Sequence, residues 1–181
     1  ALWYNAIMYA IEVARDKNDM KFVKSFSAFS EKVRNSFNEV FVNGYGYLYD
    51  HVDGNYINWS VRPNMIFAVS VDYSPLDRKV AKSVLDIVTK ELLTPKGLRG
   101  LSPKSEGYSP YYIGDQLQKD YASMNGTAYP GLLAPYIDAC LKIMRRSGLF
   151  YAERVITGLE EEMANNCIGT FSQLYDGNPP Y

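Results

Sequence analysis

The 181-residue sequence holds a single histidine, His51. Without a second imidazole there is no histidine pair for a zinc site, and no Ser–His–Asp set can be assembled around it. Cysteine is almost as scarce. The two residues, Cys140 and Cys167, lie in apolar, helix-like surroundings, which excludes a disulfide framework and points to buried free thiols of a reducing compartment. A bridge between the two stays open without geometry. No apolar run approaches the roughly 20 residues that span a bilayer. Charge of one sign is also missing: 19 basic residues against 20 acidic leave a net charge of −1, which excludes nucleic acid or an anionic membrane held by bulk electrostatics. No repeat of fixed period is present. No secretory leader is visible, so the sequons Asn58-Trp59-Ser60 and Asn125-Gly126-Thr127 are discounted and a cytoplasmic chain is expected. No cofactor and no metal are expected.

What is present is an ordinary globular composition, 47% hydrophobic and 22% charged. The length suffices for one core, and no internal linker divides residues 1–181, so one domain is predicted. Sixteen tyrosines are the compositional oddity. Amphipathic rings in excess mean either wet, aromatic-lined grooves or broad helix contacts with a polar rim.

Periodicity predicts helices. Residues 1 to about 16 place Leu2, Trp3, Ala6, Ile7, Ala10, Val13 and Ala14 on one face, and a second helix from Met20 to Phe41 carries a phenylalanine stripe read as core. Tyr45 to Trp59 alternates around the Asp53-Gly54 turn signal and reads as a small β-ribbon. Met65 to Val71 is a short buried helix. Ser74-Pro75-Leu76-Asp77 opens another, with Ser74 as N-cap, which stops before Thr94-Pro95. Residues 94–120 form a long polar stretch, and connections of that length are usually functional. A helix from about Pro130 or Leu132 ends at Ser147-Gly148. The last, 150–164, turns Ala152, Val155, Ile156, Leu159 and Met163 inward and the acidic run Glu160–Glu162 to solvent; residues 165–181 follow as a loop. The sum is an all-α chain of three αα-hairpins with a small β-ribbon insertion. Hairpins in series without a fixed repeat favour a ring over a solenoid.

The stretch Tyr111 to Tyr136 gathers Asp115, Gln116, Asp120, Asn125 and four tyrosines into one polar loop and then runs into the fifth helix with Tyr136. Carboxylates, amides and aromatic faces together suit a sugar, whose C–H face lies on a ring while its hydroxyls exchange hydrogen bonds with Asp and Asn. The alternative is a connector that only turns the chain.

Six segments then carry a family resemblance: ALWYNA at 1–6, RPNMIFAVS at 62–70, LLTPKGLRGLSP at 92–103, GDQLQKD at 114–120, NGTAYPGLLAPYIDA at 125–139 and IGTFSQLYDGNPP at 168–180. In this order they resemble the C-terminal amylo-α-1,6-glucosidase region of glycogen debranching enzymes. The resemblance implies an (α/α)6 toroid of which these hairpins are the second half, so the chain is expected to be a piece of a longer protein. It also implies inverting hydrolysis of α-1,6-linked glucose at branch stubs, with an α-glucan and the rest of the parent chain as partners. The family's general acid is an Asp upstream of ALWYNA, outside these residues. Its general base is a Glu in a Ser-Glu-Ile-Phe-Asp-Gly type motif, which here reads Ser172-Gln173-Leu174-Tyr175-Asp176-Gly177. Gln173 stands at the base position, and an amide cannot take a proton from water at neutral pH.

Asp176 and Asp115 are the carboxylates left to serve as base. The resemblance marks Trp3, Asn5, Arg62, Asn64, Gln116, Asn125 and Tyr129 for substrate binding, although Met124 and Tyr129 stand where the family prefers an imidazole and an indole. Structural roles compete: helix packing for Trp3, an ion pair for Arg62, a cap for Asn64. Three readings stay open: a debranching-type glucosidase, a non-catalytic or degenerate glycan-binding relative, and a helical interaction scaffold. Half a ring would also expose apolar surface and self-associate.

Overall fold

Asp19 begins the second helix by accepting the Phe22 N–H at 3.0 Å. In the computed structural model, which describes residues 1–165 and 169–181, α1 (Leu2–Asp16) and α2 (Met20–Phe41) pair across that short turn. The stripe that α1 buries is Tyr4, Ile7 and Ile11, while Leu2, Trp3 and Val13 are exposed. Adjacent helical positions differ by about 100°, so the row that meets Val23, Phe22 and Phe26 of α2 is one step round from the expected face. The phenylalanine stripe is only half-buried: Phe22 and Phe26 stack with centroids 4.1 Å apart, Phe37 and Phe41 lean on the main core, and Phe29 is exposed.

The ribbon forms as expected, with β1 (His51–Asp53) antiparallel to β2 (Tyr56–Asn58) and Asp53 opposite Tyr56. A 3-10 turn at Pro63–Ile66 runs into the four-residue α3 (Phe67–Ser70). The next helix, α4 (Arg78–Leu92), is capped by Asp77, which accepts the Val80 N–H at 2.8 Å. Ser74 is not the cap: its hydroxyl donates to the Ala68 carbonyl and accepts the Leu76 N–H, tying off the preceding turn. The supposed long loop is more structured than its polarity suggested. β3 (Leu93–Thr94), β4 (Gly97–Arg99) and β5 (Ala128–Tyr129) make a second antiparallel sheet, and α5 (Gln116–Asn125) fills part of the interval. After a 3-10 turn at Pro130–Leu132 come α6 (Leu133–Met144) and α7 (Arg146–Asn165). The break lies at Arg145, which takes φ of 55°; Ser147 and Gly148 belong to α7. At Gly148 the two helices approach closely, since a Cβ there would sit 2.6 Å from the Cys140 carbonyl oxygen.

The main core is built around α4. Val84, Leu85, Val88 and Leu92 have no exposed surface and meet Ile66, Leu98, Tyr136 and Cys140, each large apolar side chain contributing about 1.5–3 kcal/mol. The Tyr136 phenol is satisfied by Thr89 at 2.9 Å, and burial drives its pKa far above the ordinary tyrosine range. Cys140 is a buried free thiol; Cys167, and with it any Cys140–Cys167 bridge, lies outside the described residues. On α7, Ala152 and Val155 are buried but Ile156 and Met163 are exposed. Nor is the acidic run wholly solvated, because Glu162 pairs with Lys96 at 2.9 Å.

Among the described residues the fold is thus mostly helical with two small sheets. α1/α2 and α6/α7 are full hairpins, and the pair between them is a short α3 against α4. The turn between α3 and α4 lies against the break between α6 and α7. There Arg78 donates to the Ile143 carbonyl and Lys142 to that of Val71. The long connections, 42–62, 93–132 and 169–181, gather at a separate end. No described helix is long and apolar enough to cross a membrane.

Candidate functional site

The end that collects the long connections also holds a cavity of about 530 Å³, lined in part by Trp3, Phe37, Phe41, Tyr49, Asp50 and Asn64. Its apolar wall is the start of α1 and the end of α2; its polar floor is supplied by the ribbon and the turn that follows it. The antiparallel order of the hairpins brings these together, since α1 begins where α2 ends.

The polar floor is organised by one cation. Arg62 Nε lies 3.5 Å from the Asp50 carboxylate, and Asn64 Nδ2 donates to the same carboxylate at 3.0 Å. The guanidinium also donates to the Met124 carbonyl at 2.7 Å, the Gly100 carbonyl at 3.2 Å and Asn125 Oδ1 at 2.9 Å. Asn125 Nδ2 is turned back onto the Tyr121 carbonyl. A planar fork with five donors can bridge a loop, a helix end and a carboxylate at once, which a lysine cannot. Asn125, far in sequence from Arg62 and Asn64, therefore joins them in one cluster, and Trp3 stands on the wall of the cavity that the cluster borders. The ion pair expected of Arg62 is present; Asn64 serves as a hydrogen-bond partner of Asp50, and Trp3, 64% exposed, does not pack a helix interface.

The carboxyl-terminal segment is docked beside this cluster. Tyr175 bridges Ala128 of β5 by two backbone hydrogen bonds. The Gly177 N–H donates to the Pro110 carbonyl at 2.7 Å, and Arg99 Nε donates to the Gly177 carbonyl at 2.7 Å. Gly177 is required by space, since a Cβ would fall 2.0 Å from the Gly126 carbonyl oxygen. This seating leaves Asp176 half-buried, accepting the Tyr112 N–H at 2.8 Å, and Gln173 exposed. Tyr108 and Tyr111 close over the segment through hydroxyl hydrogen bonds to Asn178 and the Pro179 carbonyl. Burial raises the Tyr108 phenol above its ordinary pKa, against the opposing pull of Arg99.

Four sequence-marked residues stand apart from the cluster. Asp115 is the N-cap of α5, accepting the Gln118 N–H at 2.9 Å while Gln118 returns the bond to the Asp115 N–H, a reciprocal capping box. Gln116 donates along the same exposed helix to Asp120 at 2.7 Å. Tyr129 gives its hydroxyl to the Ser123 carbonyl at 2.7 Å. Asn5 spends its side-chain oxygen on the Tyr73 N–H at 2.9 Å.

Asp50 was missed from sequence. The signal was there, because a turn centred on Gly54 and Asn55 places residue 50 opposite 59 and so close to Arg62. Glu91 was missed as well. It is buried at the end of α4, held by Lys104 at 2.6 Å and by the Ser102 hydroxyl at 3.0 Å. Burial pushes its carboxyl up, but those two hydrogen bonds and the charges of Lys104 and Lys90 outweigh it and leave the pKa below the usual carboxylate range. Among the described residues no cluster of His, Cys, Asp and Glu could hold a metal ion.

The arrangement can present an aromatic face, a carboxylate, an amide and a fixed cation to a polyhydroxylated ligand. No curated protein matches the chain. The family model described as amylo-alpha-1,6-glucosidase matches residues 1–181, all of the sequence, and the chain belongs to that family.

Proposed function

We propose that the chain is part of an inverting glycoside hydrolase that cleaves α-1,6-glucosidic branch stubs of glycogen-like α-glucans. The observation that carries this is the whole-length family match, taken with the clustering of Trp3, Asp50, Arg62, Asn64 and Asn125 at the cavity end. A terminal glucose lies with its C–H face on Trp3 and its hydroxyls on Asp50 and Asn64, while Arg62 fixes Asp50 and Asp50 in turn holds Asn64. The hairpins form three of the six in an (α/α)6 toroid. That is supported by α1 and α7, which have one main helical neighbour each and expose Leu2, Tyr9 and Val13, and Leu149, Phe150 and Ile156. Further hairpins of a parent chain cover those rows; left bare, they drive self-association.

Inversion requires an acid and a base about 6.5–9.5 Å apart with a water between. The acid comes from the Asp that the resemblance places upstream of Ala1-Leu2-Trp3, so residues 1–181 alone release no glucose. The base is Asp176. Its Oδ1 is anchored by the Tyr112 N–H, whereas Asp115 is committed to capping α5. Asp176→Asn keeps that anchor but cannot accept a proton. In the full-length protein it lowers glucose release from a branched limit dextrin by about 10²-fold or more without weakening dextrin binding. Unchanged turnover removes Asp176 from the mechanism. Dextrin binding with no glucose release by wild type overturns the hydrolase reading.

Gln173 at the family's base position favours a second reading, a non-catalytic glycan-binding relative. On that reading Gln173→Glu restores hydrolysis to an inactive protein.

A further inference from the structure

A second, shallower cleft lies outside the cavity, between the segment after α2 and the side of α4. It encloses about 420 Å³ and is lined by Tyr45, Tyr47, Ser83, Asp86, Ile87 and Lys90, within the size range of small-ligand sites. We infer that it is an accessory α-glucan-binding platform, distinct from the cavity at Trp3. The choice of an α-glucan as occupant rests on the function proposed above; the existence of a platform rests on the following geometry.

Tyr45 and Tyr47 present nearly parallel rings, 18° apart in plane with centroids separated by 6.3 Å. Tyr45 is 76% exposed, yet the backbone that carries it is fixed by hydrogen bonds. The buried Asn43 side chain accepts both the Tyr45 and Tyr47 N–H groups, at 2.9 and 3.2 Å. Asn43 N–H donates to the Tyr47 carbonyl at 2.9 Å, and Gly46 N–H to the Asn43 carbonyl at 3.0 Å. The Asn43 side-chain nitrogen, in contrast, finds no hydrogen-bond partner among the described residues. An unsatisfied buried amide is unfavourable, and here it accompanies a turn whose main outward products are two tyrosine faces. Fixing rings before a ligand arrives is preorganisation, which lowers the entropic cost of binding.

The rim decides the ligand class. Ser83, Asp86 and Lys90 on successive turns of α4 offer a hydroxyl, an acceptor and a donor beside the rings, the groups that pair with sugar hydroxyls. Trp59 meets Tyr45 edge-on at 6.1 Å and Tyr49 at 4.6 Å, and Tyr49 lines the cavity. The aromatic wall is therefore continuous between the two sites, as a chain of several glucose units would use it.

The test is retention of the chain in glycogen-containing native gels, together with calorimetric titration of maltoheptaose. The variants are Tyr45→Ala, Tyr45→Phe and Lys90→Ala, with thermal unfolding as the fold control. Tyr45→Ala is expected to weaken maltoheptaose binding about fivefold or more and to lose gel retention with its unfolding midpoint unchanged. Tyr45→Phe should retain most of the affinity, and Lys90→Ala should lose part of it. Wild-type affinity in both Tyr45→Ala and Lys90→Ala overturns the platform, and so does a wild-type chain that binds neither probe. Glucose release by the full-length protein judges the hydrolase reading separately.

Discussion

Arg62 is the side chain on which the cavity end depends most. It spans Asp50, Gly100, Met124 and Asn125, so one residue fixes the ribbon, the loop after β4 and the end of α5. Arg62→Lys retains the charge but not the fork. We expect a loss on the order of 2 kcal/mol, counting the stranded carbonyls and discounting the ion pair for its partial exposure, read as a lowered midpoint in urea unfolding. At this scale sequence reading was uneven. Arg62, Asn64 and Asn125 were marked by resemblance and meet in space. Asp50 was passed over because a lone carboxylate in a tyrosine-rich ribbon has no local partner in sequence. Its role depends on the hairpin register, a property of two strands together.

Elements with a strong apolar period were legible and weakly periodic ones were not. The bounds of α2 are legible to the residue, and those of α4 to within three, because each carries apolar residues at helical spacing. α5 reads as loop in the sequence, since of its ten residues only Ala122 is buried and no apolar row marks it. The capping box Asp115-x-x-Gln118 was the available signal, and it was read as sugar chemistry. Asp115→Ala should therefore cost about 1 kcal/mol through the lost cap and speed amide exchange across Gln116–Asn125, while leaving dextrin affinity within twofold or so on the same scale. A large loss of affinity without faster exchange would return Asp115 to the binding site. The face of α1 was misassigned for a related reason. Apolar residues at positions 2, 3, 6, 7, 10 and 13, together with Tyr4, Met8 and Ile11, cover more than half the helix circumference, so only packing against Val23 and Phe26 selects the buried row.

At the scale of the whole molecule, the Glu91–Lys104–Ser102 group ties the end of α4 to the loop beyond β4 and sets an acid limit on stability. The Glu91 carboxyl titrates lower in the fold than its ordinary value of 4.5. The unfolded chain therefore takes up its proton first, and the stabilisation, complete above 4.5, is lost as pH falls through the lower folded value. Glu91→Gln should flatten that part of the acid denaturation curve; an unaltered curve would place the acid-labile group elsewhere. The antiparallel order that gathers the long connections at one end followed from the helix count, but the second sheet did not, because strands of two or three residues carry no period to read. On the proposed function, this end is a glucan site walled by Trp3. Trp3 is exposed and makes little of the core, so its removal tests binding and not folding. The direct measurement is the affinity of wild type and Trp3→Ala for a branched limit dextrin. Trp3→Ala is expected to lose about tenfold or more in affinity with the unfolding midpoint unchanged; equal affinities would remove Trp3 from any glucan site.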